Sequence, residues 1–169
     1  MGNIHTNTNI VLIGMAGAGK SSVGIELARL LGRSFVDVDR LIEAEHKISL
    51  QELLKNLGVH GFRQKEEEIL LSMDYQDHVI ATGGSAVYSQ LGMEHLQRSG
   101  VLILLDVPLP VLKKRVGDFS NRGLVKTSHQ SFDQLFAERH PLYSKYADLV
   151  IDCTDRSVAE ICTSIQNQV

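Results

Sequence analysis

The stretch Gly14-Met15-Ala16-Gly17-Ala18-Gly19-Lys20-Ser21 fits the pattern G-x-x-x-x-G-K-[ST] without a gap. Its context fits too. Ile10-Val11-Leu12-Ile13 upstream is a short apolar run, as a buried parallel strand is, and it ends at a glycine. Downstream, Val23, Leu27, Leu30 and Leu31 fall at helical spacing, and Gly32 supplies a stop. The glycines let the backbone take positive φ, so successive N–H groups turn into one anion-binding nest. A helix starting near Lys20 adds its positive dipole end. Expected nucleotide contacts are Gly17, Ala18, Gly19, Lys20, Ser21 and Ser22, with Lys20 on β- and γ-phosphate oxygens and Ser21 on Mg²⁺. The plain alternative is a Gly-rich turn with a solvated lysine. Strand before and helix after favour the phosphate loop.

Composition narrows the rest. The chain has 169 residues, a formal net charge of -3 and no Trp. At roughly 150 residues per domain this is a single domain. The near-neutral balance argues against nucleic acid or a membrane surface as partner, since both call for surplus Lys and Arg. No apolar run approaches the roughly 18 to 20 residues of a membrane span. Cys153 and Cys162 are too few for a disulfide framework, and no Cys/His spacing suggests zinc. A cytoplasmic protein is expected, with residues 1–9 as a flexible tail.

Further strands are expected at Ser34 to Val38, His78 to Ala81, Val101 to Leu105 and Leu149 to Ile151. A helical stretch after the second is broken near Gly58 and Gly61, and Ser49 with Glu52 and Ser157 with Glu160 form capping boxes. Strands alternating with helices predict an α/β fold, a parallel sheet with helices on both faces. There is no N-K-x-D or D-x-x-G signature of a GTPase; the third strand ends in Thr82-Gly83-Gly84-Ser85.

Several residues suit a second substrate at the strand ends. Asp37 and Asp39, two apart, are expected on one face of the sheet, one for Mg²⁺ water and one for a hydroxyl nucleophile. Asp39 also suits N-capping of a helix starting at Arg40. Gly83-Gly84 marks close backbone approach, or simply a turn. Arg63 lies at a helix start, where Glu66 three residues on is placed to orient it. Pro141 is expected to bias His140 away from helix and so fix where Arg139 projects. Residues 117–130, a polar Gly-containing stretch, form a candidate lid carrying Arg122, or else a surface loop.

Taken together, these residues resemble the shikimate kinase family of P-loop small-molecule kinases. The likeness runs from Ile10 to about Val158 and rests on the phosphate loop, Asp37-Val38-Asp39, Phe62-Arg63 with Glu66, Gly83-Gly84, a lid arginine and Glu138-Arg139-His140-Pro141-Leu142-Tyr143. The resemblance implies a P-loop NTPase-like three-layer fold with a five-stranded parallel sheet of order 2-3-1-4-5, a substrate-binding region over about residues 33–62, and a lid. It implies ATP and shikimate as substrates, Mg²⁺ at Ser21 and Asp37, and catalytic roles for Lys20, Asp39 and Arg122. Arg63 and Arg139 would clamp the carboxylate, Gly83, Gly84 and Ser85 would line the acid site, and Arg115 and Arg122 would lie against the nucleotide. A monomer is expected. The chain departs from the family where Ser85 replaces a third glycine, where Gly123-Leu124-Val125 follows the lid arginine, and where residues 154–157 lack a proline. Ser85 narrows the acid pocket or adds a hydroxyl contact. These departures leave two alternatives: a sister kinase of another hydroxylated acid or sugar acid, and a non-catalytic nucleotide-binding relative.

Overall fold

The computed structural model describes residues 8–117 and 124–169. Five parallel strands, β1 (Asn9–Ile13), β2 (Ser34–Asp37), β3 (His78–Ala81), β4 (Gly100–Asp106) and β5 (Leu149–Asp152), form one sheet of order β2-β3-β1-β4-β5. That is the expected order. The central strand β1 is buried along its whole length, which explains why residues 10–13 are apolar without alternation; its first residue, Asn9, is buried in the strand and so does not belong to the expected flexible tail.

Helix α1 (Lys20–Leu31) stops at Gly32, whose φ of 67° is the left-handed turn that glycine takes without strain. Helix α2 (Val38–His46) follows β2 directly. Asp37 is its N-cap: Oδ1 accepts from the N–H groups of Asp39 at 3.0 Å and Arg40 at 3.4 Å. This corrects two expectations. The cap is Asp37 rather than Asp39, and the strand ends one residue before Val38. Asp39 therefore belongs to the first helical turn, so strand alternation does not govern its direction.

Helix α3 (Leu50–Ser72) opens on the Ser49–Glu52 capping box and kinks at Gly58, where φ is 67° and ψ 178°. Gly61 does not break it; it continues the helix. Helices α4 (Gln90–Ser99) and α5 (Leu109–Val116) complete the crossovers around β4, with a 3-10 turn at Ala86–Tyr88 before α4. Helix α6 (Phe132–Tyr146) begins at a Ser131–Gln134 capping box and α7 (Val158–Gln166) at the Ser157–Glu160 box. Helices α1 and α7 pack on each other, while α4 and α6 lie against β4.

The helix α6 departs from expectation at Pro141, which it runs straight through. Phe132, Leu135, Arg139, Tyr143 and Tyr146 form one buried face at helical spacing on both sides of the proline. Pro141 itself is exposed. Tertiary burial on that face outweighs the local cost of a proline within a helix, roughly 3 kcal/mol.

Candidate active site

The loop Gly14–Gly19 joins β1 to α1 and lies beside the carboxyl ends of the strands. Gly17 and Gly19 take φ of 84° and 95°, the left-handed region that the sequence pattern requires. A Cβ on Gly17 would also stand 2.6 Å from Val116 Cγ2, so α5 packs directly against the loop. Lys20, the first residue of α1, folds back over its own loop, and Nζ donates to Gly14 O at 2.7 Å and Met15 O at 2.9 Å. Burial lowers its pKa to about 8, opposed by the nearby Asp39 carboxylate. An arriving phosphate would restore the charge that burial disfavours.

Ser21 and Asp37 meet at the mouth of this loop, with Ser21 Oγ donating to Asp37 Oδ2 at 2.6 Å. One Asp37 oxygen caps α2 and the other faces the phosphate loop. A hydroxyl and a carboxylate are the hard oxygen donors that Mg²⁺ takes beside phosphate and water, so these residues fit that ion.

A cavity of about 410 Å³ opens from the loop toward α6. Gly17, Gly19, Lys20, Ser21, Ser22, Asp37, Asp39, Gly84, Ser85, Arg115 and Arg139 all line it, so the structure brings together most of the residues singled out in the sequence. Ala18 is buried behind the loop, and its N–H closes a turn to Met15 O at 3.1 Å. Arg115 is exposed at the rim, 3.4 Å from Gly17 O. Arg122 lies outside the described residues.

Asp39 is half-buried at the cavity floor. Burial pushes its carboxyl up to about 6, with Lys20 pulling the other way and Asp37 adding repulsion. Gly83 is buried between two carboxylates: a Cβ there would stand 2.7 Å from Asp39 Oδ1 and overlap Glu66 Oε1. A side chain there would have to displace both carboxylate ends. At Gly84 a Cβ would crowd Arg139 Nη1 at 3.1 Å, and Gly84 O accepts from the Tyr143 hydroxyl at 2.6 Å. Arg139 is itself fully buried, and its Nη2 donates to Val125 O.

Two placements differ from expectation. Glu66 does not hydrogen-bond Arg63; its Oε2 accepts from Ser85 Oγ at 2.5 Å. Burial raises its pKa to about 7, while the Ser85 bond pulls it down and Asp39 pushes it up. Arg63 does not line the main cavity. Its guanidinium lies 3.5 Å over the Tyr88 ring and borders an adjoining opening of about 510 Å³, shared with Gln130 and Glu138. Sequence reasoning missed Tyr88, because its arginine partners come from α3 and α6, far from it along the chain. It also missed Leu50 and Phe62 as apolar walls of the main cavity.

Comparison with known proteins follows the same line. The family model for shikimate kinase matches residues 16–169. This chain belongs to the shikimate kinase family. A shikimate kinase of Halorhodospira halophila is 38% identical over 175 aligned residues, covering 99% of each chain. One of Nitrosospira multiformis is 35% identical, over 95% of this chain and 84% of the relative. The solved shikimate kinase of Acinetobacter baumannii in complex with shikimate superposes with a TM-score of 0.89 at 31% identity, covering 96% of this chain and 93% of that one. Membership in this family makes the protein an ATP-dependent kinase.

Proposed function

We propose that the protein transfers the γ-phosphoryl group of ATP to the 3-hydroxyl of shikimate, giving 3-phosphoshikimate and ADP. The observation that carries this reading is the convergence of the phosphate loop, the Asp39 carboxylate and the buried Arg139 on one cavity. A phosphate donor, a hydroxyl acceptor and an acid each find a counterpart there.

Geometry and charge support most of the roles, and the family resemblance supplies those of Arg63, Arg115 and Arg122. The Gly17 and Gly19 backbone with Lys20 holds the β- and γ-phosphates, and Ser22 continues the same wall. Asp39 accepts the hydroxyl proton as the acceptor oxygen attacks phosphorus and the bond to the ADP oxygen breaks. Arg139 and Arg63 receive the substrate carboxylate, which matches the fork of a guanidinium. Gly83 and Gly84 offer close backbone, and Ser85 completes the wall beneath the acid. Arg115 lies against the nucleotide base, and Arg122, outside the described residues, keeps the nucleotide-binding role that the family resemblance implies. Ser21 and Asp37 would hold Mg²⁺, which when bound supplies charge neutralisation at the phosphate oxygens. Catalysis is then largely positioning and electrostatics around a loose transition state, in a site shielded from water.

No described helix is long and apolar enough to cross a membrane, and both cysteines are free and buried. A cytoplasmic monomer working on small molecules is part of the same proposal. A coupled ADP-release assay tests the substrate. Turnover should depend on shikimate and exceed that with other hydroxylated acids and sugar acids. Turnover no greater than the no-acceptor background, or a better acceptor in the panel, would contradict the assignment.

A further inference from the structure

Tyr88 sits between the two arginines assigned to the acid. It closes the 3-10 turn that follows Gly83-Gly84. Arg63, from α3, lays its guanidinium carbon 3.5 Å from the ring centroid. Arg139, from α6, stands 5.2 Å from the same centroid and donates from Nε to the Tyr88 hydroxyl at 3.3 Å. The hydroxyl in turn donates to Glu138 Oε1, whose other oxygen accepts from Gln130 Nε2 at 2.7 Å. Among the described residues neither guanidinium is within ion-pair distance of a carboxylate, and Arg63 Nε is buried without a hydrogen-bond partner.

The chemistry of the contact explains its use. A carboxylate partner would hold an arginine by occupying the same fork that must receive the substrate. An aromatic face attracts the cation through its quadrupole and leaves the N–H edges unoccupied. The Tyr88 hydroxyl engages Arg139 at Nε and Val125 O takes Nη2, so Nη1, beside Gly84, is the edge left open. We propose that Tyr88 is the positioning residue of the carboxylate clamp, holding Arg63 by its ring face and Arg139 by its hydroxyl, with the N–H edges of Arg63 and Nη1 of Arg139 left to the acid. The inference rests on the reading of Arg63 and Arg139 as that clamp. Glu138 and Gln130 then fix the hydroxyl from the segment that follows residues 117–123.

Steady-state kinetics of the full chain tests this, with KM for ATP as internal reference. Tyr88→Leu should raise KM for shikimate about tenfold and lower kcat by less. Tyr88→Phe keeps the ring and loses the hydroxyl, and should raise it only about threefold. In an Arg63→Ala background the effect of Tyr88→Leu should shrink to that of Tyr88→Phe, since the ring then has nothing to hold. An unshifted KM in Tyr88→Leu, or an equal effect with and without Arg63, overturns the proposal. ATP-induced thermal stabilisation reports that each variant is folded; should Tyr88→Leu fail that check, the shift in Tyr88→Phe decides. If Arg63→Ala and Arg139→Ala themselves leave KM for shikimate unmoved, the clamp reading falls and this inference with it. If they raise it while neither Tyr88 variant does, only the inference falls.

Discussion

At the scale of single residues, protonation sets the working range. Burial holds Asp39 at about 6, so the fold favours its neutral form. That contribution to stability is fully present below the ordinary carboxylate range and is lost as pH rises through about 6. Activity has the opposite sign, because the base must be ionised. kcat/KM should fall as pH drops through about 6. It should also fall as pH rises past about 8, where buried Lys20 loses the charge that meets phosphate. A profile flat from about pH 5 to 9 would contradict both assignments. Lys20→Ala should lower turnover by at least about 1,000-fold while the protein remains folded, measured in the ADP-release assay with circular dichroism as control. Ser85→Ala strips the buried Glu66 oxygen of its donor and should cost about 1–3 kcal/mol in denaturant unfolding. An unchanged midpoint would mean that the Ser85–Glu66 bond contributes little.

At the scale of elements, what was legible followed range along the chain. The phosphate loop, the strand runs and the Ser49 and Ser157 capping boxes are written in residues at most a few positions apart, and each forms as expected. The cap at Asp37 was misplaced because Asp37 and Asp39 are chemically alike and only the end of β2 decides between them. Ser85 on Glu66 and Tyr88 on Arg63 were illegible, since packing of separate elements creates them. Pro141 shows the same thing in α6, where the buried face overrides a local breaker. Pro141→Ala restores the N–H of an exposed helical position. The helix gain of about 3 kcal/mol exceeds the unfolded-state entropy lost with proline, about 1 kcal/mol. The unfolding midpoint should therefore rise, and a fall would show that Pro141 shapes α6 rather than straining it.

At the scale of the molecule, a net charge of -3 conceals a cationic cleft. Lys20, Arg115 and Arg139 line one cavity, and Arg63, stacked over Tyr88, lines a second opening. That arrangement suits a small anion more than a polymer, whose phosphates need an extended basic surface. The methyl ester of shikimate, with its charge removed, should show KM raised at least about tenfold. Equal KM for acid and ester would remove the clamp from the account. Sheet order came to the sequence reading only through family resemblance, because periodicity defines strands but not their neighbours.

The central claim is phosphoryl transfer to one hydroxyl, and phosphorus NMR of the reaction mixture tests it most directly. Incubation with ATP, Mg²⁺ and shikimate should give ADP and one new phosphomonoester resonance coupled to the proton on C3 of the ring. ADP with inorganic phosphate alone, or a phosphomonoester on another carbon, would contradict the account.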